Sequence, residues 1–142
     1  MLRTWIEAIV LVPVLGAVTC CGGQSAAVNQ ESAVVLSTQN FSVAAGDGTA
    51  LSVDVASPGA LSATASFAEA GAEIDVYITD GSCASLDDLV FGSCKVLARA
   101  DNRVPSPQKA TLFGATPGRY QAFVLAVGQL GGSGTVSFIL SP

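Results

Sequence analysis

The sequence predicts an all-β fold, an antiparallel β-sandwich. Short runs rich in β-branched and aromatic residues recur about every ten residues from Val34 onward, separated by turn residues. Most runs alternate apolar and polar side chains with a period of two, which places one face on a core and the other in water. Helix signals are nearly absent. Two packed antiparallel sheets are the natural way to bury so many one-sided strands.

Six segments carry this pattern, and each ends at a turn signal. The predicted strands cover residues 41–43, 51–55, 61–67, 74–78, 120–127 and 136–140. The first ends at Ala45-Gly46-Asp47-Gly48, where two glycines can adopt a positive φ. In the fourth, Asp75, Tyr77 and Thr79 are the expected water-facing side chains.

Two features near the carboxyl end modify this pattern. Residues 120–127 are apolar on both faces, which predicts a central strand covered on two sides. Residues 131–134, Gly-Gly-Ser-Gly, precede the last strand and are expected to be flexible.

Composition limits the functional classes. The chain has 142 residues, enough for one domain, with 50% hydrophobic and 12% charged residues, which argues against disorder. The formal net charge is −5, and the six basic residues form no cluster. Nucleic-acid binding needs a basic stripe, so no nucleic-acid partner is expected.

The amino terminus has the pattern of an export signal, predicted over residues 1–20. One arginine precedes an apolar run over residues 8–18, and small residues follow. The run is too short for a spanning helix, which needs about 20 residues. A buried first helix is the alternative interpretation.

Two adjacent cysteines follow the apolar run and resemble the lipobox of bacterial lipoproteins. The resemblance implies a lipid on Cys21, which follows a small residue, or on Cys20, which follows the bulkier Thr19. Ordinary signal-peptide cleavage, giving a freely secreted protein, remains an alternative, as does a redox disulfide between the two cysteines. Residues 21–33 have a small, polar composition typical of a flexible tether, and residues 34–142 form the predicted domain. The expected location is therefore the cell envelope, lipid-anchored at the outer membrane, or the extracellular medium.

Four segments of the domain resemble the bacterial pre-peptidase C-terminal domain family. Residues 41–46 are similar to its first strand and turn, residues 73–78 to its acidic central strand, residues 117–124 to its Gly-x-Tyr strand, and residues 134–140 to its last strand. The resemblance spans residues 38–141 and implies a small jelly-roll-like β-sandwich, a domain that accompanies secreted proteases. This sequence contains no protease segment, so the family's role beside an enzyme is not transferred.

A second cysteine pair, Cys83 and Cys94, lies in a loop between strands. In an exported protein, an even pair in a loop predicts a disulfide. Zinc is disfavoured, because two thiolates without histidine or a further nearby cysteine do not complete a tetrahedral set.

The loop that this disulfide closes is the best candidate for a contact surface. Leu89, Val90 and Phe91 would form an apolar patch, with charged residues around it. The alternative is that these three side chains pack under the edge of the sandwich.

Catalytic machinery is not recognisable, and no cofactor is expected. The chain has no histidine, which removes the common serine and cysteine nucleophile systems, and it has no phosphate-binding loop. Carboxylates could hydrolyse glycosides or hold calcium, but their spacing matches no defined loop. The candidates are Asp75 for hydrolysis and Asp80, Asp87, Asp88 and Asp101 for either role.

These observations predict a non-catalytic protein of the cell envelope that binds an unidentified protein or surface glycan. Its contact with the membrane would be through the lipid alone. The alternatives are a structural or protective surface protein without a specific ligand and a cryptic hydrolase that uses acidic residues.

Overall fold

A computed structural model describes residues 32–102 and 106–142. The predicted export signal, both candidate lipid-attachment cysteines and nearly all of the predicted tether lie outside the described residues.

Eight strands and one short helix make up the described chain. They are β1 (Val34–Val43), β2 (Gly48–Val55), β3 (Gly59–Phe67), β4 (Ile74–Thr79), α1 (Leu86–Val90), β5 (Val96–Ala100), β6 (Gln108–Ala115), β7 (Gly118–Ala126) and β8 (Gly132–Ser141). Sheet A has the strand order β1-β8-β3-β6, and sheet B has the order β2-β7-β4-β5. This arrangement of eight antiparallel strands in two sheets is a jelly roll, which confirms the predicted fold class.

The core lies between the two sheets and is built by the predicted alternation. Ile74, Val76 and Ile78 of β4 are fully buried, and Leu61, Ala63 and Ala65 of β3 face them from the other sheet. Val136 and Phe138 of β8 complete the same cluster. Every predicted strand therefore supplies one apolar face to a common core, as the period of two requires.

Strands β5 and β6 have no counterpart among the six predicted segments. Each is an edge strand of its sheet, and the two lie against each other along one side of the sandwich. Apolar residues on these two strands are not confined to the inward face, so their hydrophobic alternation is weaker. Val96 and Phe113, for example, are exposed on these two strands.

Strand β7 is central in sheet B and covered on both faces, as its composition predicts. Val124 faces the core, while Phe123 on the outer face is also buried, with 1% of its surface exposed. The cover is a segment that we call the cap, residues 83–94, whose two ends are joined by a disulfide between Cys83 and Cys94. Both cysteines pack with Phe123, and Leu86 and Leu89 of the cap complete this second apolar cluster.

The outer face of β4 does not face water as the sequence pattern predicts. Asp75 and Thr79 are buried, and Tyr77 is half-buried against the cluster around Phe123. The prediction assumed an open sheet face. It is wrong for Tyr77 because this side chain packs in the apolar cluster between the cap and sheet B.

The glycines before the last strand are not a flexible linker, contrary to the prediction. Gly132 and Gly134 belong to β8, and a Cβ on Gly134 would overlap the carbonyl oxygen of Ser66 in the neighbouring strand β3. A Cβ on Gly131 would likewise overlap the carbonyl oxygen of Val43. These glycines are needed because neighbouring backbones approach closely.

We expect Gly134→Ala to lower the free energy of unfolding by about 2 kcal/mol, because the added methyl must displace the backbone of β3. Chemical denaturation measures this change. Gly118→Ala is the matched control, since its Cβ would meet nothing closer than 4.0 Å, and it should leave stability within about 0.5 kcal/mol. Equal stability of the two variants would contradict the close packing of β8 on β3.

We expect the double variant Cys83→Ser, Cys94→Ser to lose about 3 kcal/mol of unfolding free energy, because the closed loop no longer restricts the unfolded chain. Ser93→Ala, a change at an exposed neighbour of Cys94, is the control. Denaturation of the three proteins without reductant compares them. If the double variant matches the wild type, the cap is not held by this disulfide.

Candidate functional site

The cap combines a rigid frame with an exposed apolar tip. Its helix α1 begins after Ser85, whose side chain accepts a hydrogen bond from the backbone N–H of Asp88 at 3.3 Å. The Asp88 carboxylate in turn accepts from the backbone N–H and the hydroxyl of Ser85, at 3.0 and 2.9 Å. This reciprocal capping box satisfies donors at the start of a helix that is too short to persist alone.

Further contacts hold Asp88 in place. Its carboxylate also accepts from the backbone N–H of Ala84 at 3.1 Å, and its carbonyl accepts from the N–H of Ser93 at 2.8 Å. The hydrogen bonds from Ser85 and Ala84 lower the pKa of Asp88, since they favour the charged carboxylate. Asp88 thus joins both ends of the cap.

The predicted contact residues divide into two groups. Leu89 is half-buried and packs with Leu86 against Phe123, as the alternative interpretation expects. Val90 and Phe91 are 67% and 79% exposed, as the contact-surface interpretation expects. We call this pair the tip. Phe91 ends the helix, where its N–H donates to the carbonyl of Asp87 at 2.8 Å, and Gly92 follows with φ +71°.

The backbone at the tip is therefore fixed by local contacts, although both side chains are exposed. The capping box precedes the tip in the sequence. Gly92, with its left-handed backbone, and Cys94 of the disulfide follow it. Val90 and Phe91 are adjacent and both exposed, so together they form a small apolar patch on the surface.

The candidate calcium ligands are spread over separate places. Asp80 accepts from the backbone N–H and the hydroxyl of Ser82 in the turn before the cap, which lowers its pKa. Asp87 and Asp88 lie in the first turn of α1, and Asp101 pairs with Arg99 at 3.4 Å beyond β5. Within residues 32–102 and 106–142, no three Asp, Glu, His or Cys side chains are grouped to hold a metal ion.

Asp75, the candidate for hydrolysis, lies on the covered outer face of β4. The hydroxyl of Tyr77 donates to its carboxylate at 3.3 Å. Burial raises the pKa of Tyr77, and the negative charge of Asp75 raises it further. A buried carboxylate beside a phenol is not placed to act on a polysaccharide in solution.

A half-open cavity of about 440 Å³ lies at the end of the sandwich where β1 begins and β8 ends. Its polar side chains are the hydroxyls of Ser32 and Ser57, and Val34, Pro58 and Leu140 supply apolar walls. These side chains include no group that could act as a general acid or base near neutral pH.

Two features of the surface were missed from the sequence. The spacing Ser85-x-x-Asp88 is a capping-box signal that could have indicated α1. Phe113 on the edge strand β6 is 82% exposed, and no local signal separates it from an inward-facing residue.

In the described part of the chain, no helix is long and apolar enough to cross a membrane.

Comparison with known proteins identifies the fold. No family model matches the sequence, and no curated protein matches it. Among solved structures, the chain is similar to the pre-peptidase C-terminal domain of a collagenase from Bacillus anthracis, with a TM-score of 0.54 and 18% sequence identity. The match covers 73% of this chain and 89% of the collagenase domain. The chain therefore has the β-sandwich fold of a pre-peptidase C-terminal domain, the fold that the resemblance of its strands implies.

Proposed function

We propose that this chain is an exported, non-catalytic binding module of the cell envelope that docks a protein partner through the tip, Val90 and Phe91. The observation that carries the proposal is the 79% exposure of Phe91 on a frame held by a helix cap and a disulfide. Aromatic residues are enriched at the centres of protein interfaces, where burying them contributes most of the binding energy.

The rigidity of the cap favours binding. A backbone segment that is already ordered loses less conformational entropy when a partner binds it. The surroundings add specificity, because Asp87 and Lys95 are exposed beside the apolar pair and would form a charged rim around it.

Export and anchorage belong to the same proposal. The sequence pattern of residues 1–20, the disulfide between Cys83 and Cys94, and a fold that a domain of a Bacillus collagenase shares all support a location outside the cytoplasm. A lipid on Cys21 would hold the domain at a membrane surface.

We expect Cys21→Ser to move the full chain from the membrane fraction to the soluble fraction when it is expressed in a bacterial host. Cys20→Ser is the matched control and should leave the protein in the membrane fraction. Fractionation with immunoblotting measures both. Membrane association that is the same in both variants and in the wild type would remove the lipid anchor from the proposal.

The docking proposal predicts that capture of an envelope protein depends on the tip. The full chain, immobilised with its disulfide intact, is incubated with a detergent-solubilised envelope fraction, and retained proteins are identified by mass spectrometry. We expect Phe91→Ala to reduce retention of the partner about tenfold or more, as for a central interface residue.

Phe113→Ala is the matched control, because it removes an equally exposed phenylalanine on another part of the surface. It should leave retention of the protein partner unchanged. If Phe91→Ala retains the same proteins in the same amounts as the wild type, the tip is not a docking site and the structural role becomes the better hypothesis.

A further inference from the structure

The two outer faces of the sandwich differ in charge. Every strand of sheet B carries a charged residue, as in Asp54 of β2 and Arg119 of β7. The four strands of sheet A contain no acidic residue and one basic residue, Lys109. In a chain with 11 acidic residues and a net charge of −5, the strands of one sheet contain no acidic residue. A carboxylate from outside the sheet reaches the start of β8, where Glu69 accepts a hydrogen bond from the hydroxyl of Ser133 at 2.6 Å.

Most of the outward side chains of sheet A carry hydroxyl groups. The side chains that point outward between the buried core positions of sheet A are mainly serine and threonine, and we call this surface the hydroxyl face. Its central members are Thr38, Thr135, Ser137, Thr64, Ser66 and Thr111. No cap covers these residues, and all six are partly or fully exposed.

The strand register aligns these hydroxyls in rows across the sheet. Thr38 lies opposite Ser137, and Ser137 lies opposite Thr64. The hydroxyls of Thr38 and Ser137 are 3.1 Å apart, and those of Ser62 and Thr111 are 3.0 Å apart, so neighbouring strands are linked by hydrogen bonds. A hydroxyl has one donor and two acceptor positions, so each linked pair still has capacity for an external ligand.

One aromatic ring stands on this surface. Strand β6 buries Gln108 and Ala110 and alternates outward through Lys109, Thr111 and Phe113. Phe113 is thus on the hydroxyl face, at its edge, with 82% of its surface exposed. It is far more exposed than a residue that contributes to the core.

The combination matches one class of ligand. A pyranose ring presents hydroxyls at its edge and apolar C–H groups on its face, and the electron-rich face of an aromatic ring attracts such C–H groups. Small hydroxyl side chains lose little conformational entropy on binding. The strands of this face carry one cation, Lys109, where an anionic polymer would need several.

We propose that the hydroxyl face of sheet A binds a neutral polysaccharide, with Phe113 stacking on a sugar ring and the rows of serine and threonine hydrogen-bonding to its hydroxyls. This site lies on the sheet opposite to the one that the cap covers, so it does not depend on docking through the tip.

The test measures binding of the full chain to cellulose, chitin, a β-1,3-glucan and dextran, with anionic alginate as the charge control. Sedimentation serves for the insoluble polymers and titration for the soluble ones. We expect binding to at least one neutral polymer and not to alginate. Phe113→Ala should weaken that binding about tenfold, corresponding to the loss of one stacking contact.

Two further variants separate the hydroxyl face from the tip. Thr64→Glu places a charged, longer side chain at the centre of the face and should abolish binding to the polymer. Phe91→Ala removes the other exposed phenylalanine and should bind the polymer like the wild type. Circular dichroism checks that each variant has the wild-type β-sheet spectrum.

Three outcomes would overturn the proposal. One is failure to bind any of the neutral polymers, and another is equal binding by Phe113→Ala, Thr64→Glu and the wild type. The third is a dimer in sedimentation analysis that Thr64→Glu dissociates, since the hydroxyl face would then be covered by a second copy of the chain. None of these outcomes bears on capture of a protein through Phe91.

Discussion

The burial of Phe123 on the outer face of sheet B is the contact on which the functional surface depends. An aromatic side chain on the solvent side of a central strand would be exposed in a bare sandwich, and here the cap covers it with two cysteines and two leucines. Because the inner side of the cap is apolar, its disulfide and helix rest on the sheet as one unit. The position of the exposed tip follows from that packing. Val90 and Phe91 point outward because Leu86 and Leu89 point toward Phe123.

The outer faces of the two sheets differ in the side chains that they carry. Sheet B carries charged and aromatic residues on its outer face and is partly covered. Asp75 is buried there, and Tyr77 is half-buried and hydrogen-bonded to it. Sheet A uses small hydroxyl side chains that hydrogen-bond to one another across strands. The outer face of sheet A, whose strands carry one charged residue, Lys109, is not covered by the cap, while the outer face of sheet B supports the tip. The described part of the sandwich therefore presents two chemically distinct surfaces.

Sequence pattern predicts the inward faces of six strands well, because a period of two in apolar residues is imposed directly by burial against a core. It fails at the edge strands β5 and β6, where residues such as Phe113 face solvent although they are apolar. Sequence pattern also fails where a residue's environment depends on contacts with residues that are distant in the sequence. Thr79 is buried by such contacts, and Gly134 is required by the backbone of β3 rather than by a local turn.

Prediction of the candidate site from the sequence is limited in the same way. The loop between Cys83 and Cys94 was identified from its cysteines and its apolar residues, but the division between Leu89 and Phe91 depends on which side of a helix faces the sheet. The hydroxyl face could not be recognised from the sequence, because its members come from four strands that are brought together only by the jelly-roll order. Serine and threonine in any one strand look like ordinary solvent-facing residues.

The pairing of β1 with β8 has a mechanical consequence. Val34 at the start of β1 lies opposite Leu140 near the end of β8, and the two strands stay paired as far as Val43 and Gly132. A pulling force between the two ends of the domain would therefore load the hydrogen bonds of this pair one after another, beginning at Val34, and β1 would peel away at low force. A domain held at one end carries no such load through its first strand. The domain would therefore resist tension poorly if it were pulled from both ends.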